Sequence, residues 1–158
     1  MTPAVNIARK AGIKHVIHEY SHDTAHESYG LEAAEKMGVA PERVFKTLVV
    51  ALESKELIVG VVPVSATLNM KQIAKAAGAK KAAMAAAADV QRSSGYVLGG
   101  VSPLGQKKSL RTFIDESATR FTTIFVSAGK RGLEIELAPS DLAALTRGHF
   151  SGIADDEH

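Results

Sequence analysis

Cysteine is absent from the 158-residue chain. That excludes disulfides, cysteine-ligated zinc and a cysteine nucleophile, and it fits a reducing compartment. No apolar run approaches the ~20 residues that a membrane-spanning helix needs. Met1 to Lys10 lack the apolar stretch and small-residue cleavage site of a signal peptide. A cytoplasmic protein without membrane association is therefore expected. There is no GxSxG elbow and no local Ser/His/Asp signature, so covalent nucleophilic catalysis has no obvious agent. The one close carboxylate pair, Glu134 and Glu136, shares a strand face. No internal repeat or linker divides the chain, and its length suits one compact domain over residues 1–158.

The net charge of +2 hides an asymmetry. From Lys71 to Arg131, eleven Lys/Arg face only Asp89, Asp115 and Glu116, so this window carries +8 and the remainder −6. A basic segment of this kind points to a polyanion such as nucleic acid, unless its charges scatter over several faces.

Helices and strands interleave along the chain. Thr2-Pro3 reads as an N-cap followed by proline at the first helical position, with a short helix over 4–11 stopped by Gly12. Residues 15–20 read as a strand, 21–28 as a polar loop and 31–37 as a helix ended by Gly38. Val44 to Leu52 and Glu56 to Val64 read as strands joined in a hairpin, with Pro63 assigning that end to an edge or bulge. Asn69 caps a helix over 70–77 that Gly78 closes. Residues 82–88 are alanine-rich, and a helix over 87–92 emerges from them. A glycine-rich loop covers 95–105. Strands follow at 112–114, 122–127 and 133–137. A final helix runs from Pro139 to Thr146, and 154–158 form a short acidic tail. The class is α+β.

Three local patterns bear on chemistry. His18-Glu19-Tyr20-Ser21-His22 matches HExxH, and His15 or His26 could supply a third metal ligand. That chemistry needs a helix to bring both histidines to one face, whereas this stretch reads as strand then loop, so no metal is expected. Gly100 to Lys107 nearly matches a phosphate-binding loop, but Gln106 holds the lysine position and Pro103 removes a backbone donor. The loop either lets backbone approach a ligand or simply turns tightly. Lys46 is the most informative residue. It lies in the apolar strand Val44-Phe45-Lys46-Thr47-Leu48-Val49-Val50, where a lysine either serves a site or snorkels to solvent. Ser127 is a second polar group at a strand end.

Three long stretches carry a family resemblance. They are Phe45-Lys46-Thr47-Leu48, then Gln91 to Lys108 with Gly99-Gly100-Val101-Ser102-Pro103-Leu104-Gly105, then Gly129-Lys130-Arg131-Gly132-Leu133-Glu134-Ile135-Glu136-Leu137-Ala138-Pro139. Over almost its whole length the chain resembles the YbaK/EbsC family, specifically the YbaK-type Cys-tRNA(Pro)/Cys-tRNA(Cys) deacylases. The resemblance implies a mixed, mostly antiparallel, partly closed sheet surrounded by helices, similar to the editing domain of prolyl-tRNA synthetases. It implies a trans-acting editing enzyme for mischarged Cys-tRNA(Pro), with no cofactor and with prolyl-tRNA synthetase as a further partner.

By the same resemblance the site lysine is Lys46, with Gly99 and Gly100 facing the developing oxyanion. Tyr20, Tyr29, Thr47, Ser127 and Glu134 line the substrate pocket. The substrate's own thiol would attack its ester, which agrees with the missing nucleophile. Tyr29 stands where the family usually has phenylalanine, and Glu134 where aspartate is common. The alternatives are an Ala-tRNA(Pro) hydrolase, or a non-catalytic tRNA- or synthetase-binding module of the same fold.

Overall fold

A lysine and a threonine apart, the stretch from Phe45 to Leu52 is apolar, and Leu57 to Pro63 is wholly so apart from Gly60. Such near-continuous apolar runs belong in a sheet covered on both faces. In the computed structural model, which describes residues 1–23 and 28–156, these segments are β2 (Phe45–Leu52) and β3 (Leu57–Pro63). They form the expected antiparallel hairpin, with Phe45 opposite Pro63 and Ala51 opposite Leu57. Lys55 turns the connection with φ 75°. One face of the pair holds Phe45, Val49, Val59 and Val61, and the other holds Val50, Leu52, Ile58 and Val62; each face enters a different buried cluster.

Around this hairpin lies a five-stranded sheet in the order β5-β2-β3-β6-β9, with β5 at Ala82–Met84, β6 at Thr112–Asp115 and β9 at His149–Ser151. The β3/β6 and β6/β9 pairs are parallel and the others antiparallel. β3 is thus internal, and Pro63 falls past its last residue paired with β6, Val61. The missing N–H there removes no ladder bond. A second sheet, wholly antiparallel, has the order β1-β8-β7, from His15–Glu19, Leu133–Leu137 and Ile124–Lys130. One parallel bridge, Val44 to Phe125, joins the two sheets and partly closes the structure. The larger apolar cluster fills the space between them, with Ala4, Val5 and Ala8 from α1 (Pro3–Ala11) and Leu142 from the last helix.

The helices start and stop where cap chemistry places them. The Thr2 hydroxyl accepts from Val5 N–H, and Gly12 ends α1 in the left-handed region. Ser28 caps α2 (Tyr29–Met37) by accepting from Leu31 N–H, and Gly38 ends it. Asn69 caps α3 (Met70–Ala76) by accepting from Gln72 N–H at 2.9 Å. α4 covers Ala87–Ser94 and α5 Pro139–Thr146. No helix among the described residues is long and apolar enough to cross a membrane.

Short strands differ from the sequence reading. The alanine-rich run begins with β5, because its backbone pairs with Val50, Ala51 and Leu52 at the edge of β2. β4 (Ala66–Leu68) pairs antiparallel with β10 (Ala154–Asp156). The stretch read as an acidic tail therefore begins as a strand, and residues 157–158 lie outside the described residues. Asp115 explains how this end of the chain is held. Its Oδ1 accepts from Ile153 N–H and Ala154 N–H at 3.0 and 3.1 Å, and its Oδ2 accepts from Ser117 N–H at 3.2 Å. This carboxylate is buried.

Asp115→Ala would leave those three backbone donors without their acceptor. A loss of about 2–4 kcal/mol of unfolding free energy is expected in urea titration. A change below about 1 kcal/mol would show that the clamp is not needed to hold the C-terminal strands.

Candidate active site

β2, β7 and β8 come together near the bridge between the sheets, and polar groups of all three meet there. A cavity of about 230 Å³ is lined by Lys46 and Thr47 from β2, Ser127 from β7 and Glu134 from β8. Tyr20, just past the end of β1, and Tyr29, in the first turn of α2, complete the walls with Leu98 and Gly99. Seven of the eight residues singled out in the sequence therefore share one cavity.

Gly100 is the exception. It does not line the cavity, and its N–H donates to the Val97 carbonyl at 3.0 Å. A Cβ at this position would lie 2.8 Å from Lys130 Cα, so Gly100 is needed for the loop to lie against the turn between β7 and β8. This departs from the expectation that both glycine N–H groups face the substrate. Gly99 does border the cavity. It has φ +90°, and a Cβ there would meet the Tyr29 ring at 2.6 Å. Only glycine satisfies both the backbone and the aromatic wall.

Sequence reasoning gave Arg131 no role in the site, placing it only in the basic window and in one stretch of the family resemblance. Arg131 lines the cavity and makes the contacts that hold its outer wall. Its Nε donates to Glu32 Oε1 at 3.2 Å, and a terminal nitrogen donates to the Asp23 carbonyl at 2.8 Å. The guanidinium also lies over the Tyr29 ring, 4.1 Å from its centroid. Glu32 is 0% exposed, and its second oxygen accepts from Asp23 N–H at 2.6 Å. The signal that could have found this pair is a glutamate on the buried stripe of α2, between Ala33 and the loop, which requires a cation.

Glu134 is 6% exposed. Burial pushes its carboxyl up to about 8, so it is predominantly protonated at neutral pH. Tyr20 is raised above the ordinary phenol value, first by burial and then by Glu134, which is ionised in the range where the phenol titrates. Ser127 Oγ accepts from Gly129 N–H at 3.2 Å. Among the described residues that line the cavity there is no histidine, aspartate or cysteine; its one carboxyl is Glu134, the cross-strand partner of Ser127.

The HExxH stretch has a different use. His18 lies in the β1 strand, not on a helix, and its Nε2 pairs with Glu136 Oε1 at 2.9 Å. Glu136 also accepts from the Thr123 hydroxyl at 2.6 Å and lies 3.7 Å from Arg43. These contacts hold its carboxyl below the usual range, the Thr123 bond most strongly. His26 lies outside the described residues. The near phosphate-loop packs into the core: Ser102, Pro103 and Leu104 are buried, and the Leu104 carbonyl accepts from the Tyr96 hydroxyl at 2.6 Å.

Comparison with known proteins identifies what this arrangement belongs to. The family model for the aminoacyl-tRNA editing domain matches residues 26–145. The chain belongs to the aminoacyl-tRNA editing domain family. Its activity class is therefore aminoacyl-tRNA editing. A protein of Enterococcus faecalis, EbsC, provisionally named a Cys-tRNA(Pro)/Cys-tRNA(Cys) deacylase, is 37% identical over 156 residues, covering 99% of this chain and 94% of that one. An uncharacterised Bacillus subtilis protein, YwhH, is 33% identical over 112 residues, 71% of each chain. A solved structure provisionally assigned as a trans-editing enzyme for prolyl-tRNA synthetase has a TM-score of 0.81 at 21% identity, covering 100% of this chain and 99% of that one. The aminoacyl-tRNA editing fold is thus matched over the whole chain.

Glu134 makes stability depend on pH with a definite sign. The folded protein keeps this proton up to about 8, whereas the unfolded chain releases it near 4.5. The contribution is fully present below 4.5 and is lost as pH rises through 8. Between pH 5 and 8.5 the parental protein is expected to lose on the order of 3 kcal/mol relative to Glu134→Gln, measured by denaturant unfolding at each pH. Parallel pH profiles for the two proteins would show that Glu134 is not held protonated.

Proposed function

We infer that the protein is a trans-acting deacylase that clears mischarged Cys-tRNA(Pro), by attack of the cysteine thiol on its own ester. The observation that carries this reading is a small cavity in which a lysine, two tyrosines and a buried, protonated carboxyl meet, with no histidine, aspartate or cysteine among its described lining residues. The name borne by the Enterococcus relative supports the choice of amino acid. Cysteine and proline are close in size, so a synthetase cannot reject one for the other by binding alone, and separate removal is needed.

In this mechanism the substrate sulfur bonds to the ester carbonyl carbon, and the bond from that carbon to the ribose 3′-oxygen breaks. The thiol proton ends on the 3′-oxygen, and cysteine leaves as a cyclic thioester. The protein supplies position and charge. Lys46 holds the phosphate of the terminal nucleotide or polarises the ester. Gly99 lets backbone approach the carbonyl oxygen. Tyr20, Tyr29, Thr47 and Ser127 fix the aminoacyl group so that sulfur and carbonyl meet. Glu134, protonated at neutral pH, adds no negative charge that would oppose formation of a thiolate. A domain this small has little surface for choosing among tRNAs, so a complex with prolyl-tRNA synthetase supplies that selectivity.

Deacylation of Cys-, Ser- and Ala-tRNA(Pro) at saturation tests the mechanism. A thiol of pKa near ~8.5 is a few per cent thiolate at neutral pH, whereas a serine hydroxyl stays protonated. The cysteine ester is expected to be cleaved faster than the other two by roughly two orders of magnitude. Comparable rates for cysteine and serine would make water the attacking group, and preference for alanine would make the protein an Ala-tRNA(Pro) hydrolase.

Lys46→Ala is expected to fold normally by circular dichroism and to lose roughly 100-fold in deacylation. Near-parental activity in the folded variant would remove Lys46 from the site.

A further inference from the structure

The eleven cations of the basic window are not equivalent once placed in space. Lys71 and Lys75 lie exposed on α3. Arg92 pairs with Asp89, and Arg111 pairs with Glu56 at 2.9 Å. Arg131 is the one member that lines the cavity, and its guanidinium is engaged by Glu32. Beside the cavity lies a second, open groove of about 320 Å³. Tyr20 and Arg131 line both, so the two spaces adjoin. The remaining walls of the groove are Glu19, Ser21, Lys130 and Gly132.

We propose that this groove receives the phosphate backbone of the substrate's single-stranded 3′ end as it leaves the cavity, with Lys130 as the phosphate-contacting residue. The inference rests on the aminoacyl-tRNA reading of the cavity and adds the route by which the strand reaches it. Three observations favour the groove. It opens directly beside the cavity, as the nucleotides preceding an aminoacylated terminus require. Its walls are polar, and Lys130 is exposed at the end of β7, with no ion-pair partner among the described residues. Its floor is kept low by Gly132, where a Cβ would lie 2.9 Å from the Tyr20 carbonyl oxygen.

Glu19 also faces the groove and opposes an anion there. This gives the proposal a control of opposite sign in the same place. A lysine phosphate contact releases counterions and lowers affinity as salt rises, by about 0.7 in the log–log slope for a single strand.

The test measures fluorescence anisotropy of two fluorescein-labelled RNA hairpins carrying no amino acid, one ending in a single-stranded CCA and one blunt. The full-length parental protein is compared with Lys130→Ala, Glu19→Gln and Lys71→Ala. The parental protein is expected to bind the CCA hairpin more tightly. Lys130→Ala should weaken that complex about fivefold and reduce its salt slope by about 0.7, leaving the blunt hairpin unaffected. Glu19→Gln should tighten the CCA complex, and Lys71→Ala should not change the difference between hairpins. An unchanged CCA complex in Lys130→Ala overturns the proposal. So does an equal loss for both hairpins, or no binding of the CCA hairpin by the parental protein. Because binding needs no turnover, a protein that grips the overhang but cleaves no ester would refute the deacylase reading alone. Ester cleavage with binding insensitive to Lys130 would refute the groove alone.

Discussion

The carboxylate of Glu32 is fully enclosed, and the wall of the cavity depends on how its charge is met. A buried carboxylate without a partner costs several kcal/mol, and Arg131 and the Asp23 N–H both serve to offset that cost where α2 packs. The first turn of α2 favours an acidic side chain through the helix dipole, which helps to offset the burial. One guanidinium then ties two separate pieces of chain to the end of β7. It binds α2 through Glu32 and the Tyr29 ring, and the segment after β1 through the Asp23 carbonyl. Lysine could carry the charge but not this forked and stacked geometry. The cavity is therefore shaped as much by an ion pair at its rim as by the sheets beneath.

The sheets set the remaining walls. β2 is an interior strand, and alternation along it delivers Phe45 and Val49 to the large core while Leu48 and Val50 pack on the other side. Lys46 and Thr47 stand near the bridge that joins the two sheets, where the apolar layers end. The same junction brings in Ser127 and Glu134, which face each other as partners across β7 and β8. Placing these groups on strands gives them fixed positions.

Legibility in the sequence followed the strength of local signals. Thr2, Ser28 and Asn69 occupy cap positions with characteristic chemistry, and Gly12 and Gly38 stop helices in the left-handed region; of these, Ser28 was read as loop, and α2 begins two residues earlier than expected. The β2–β3 hairpin was legible because both runs are too apolar to be anything but internal. β4, β9 and β10 were not legible. Each is three residues long and exists through pairing with a distant segment, which leaves no periodic trace. β5 was obscured by alanine, whose weak local preference yields to an open strand edge. Within the site, Lys46 announced itself as a charge in an apolar run. Arg131 did not, because its partners lie about a hundred residues away in sequence. Gly100 was misplaced because adjacent glycines in a loop give no indication of which one faces inward.

The second residue of the chain reaches the edge of the site. The Thr2 hydroxyl accepts from Val5 N–H to begin α1, and it donates to the Ala128 carbonyl within the irregular stretch of β7 that follows Ser127. Cap and bulge thus share one oxygen. A displacement of Thr2 itself would remove both bonds together, so the start of α1 and the strand beside Ser127 are linked through one side chain. The first turn of α1 is thereby tied to the strand that carries Ser127 into the cavity.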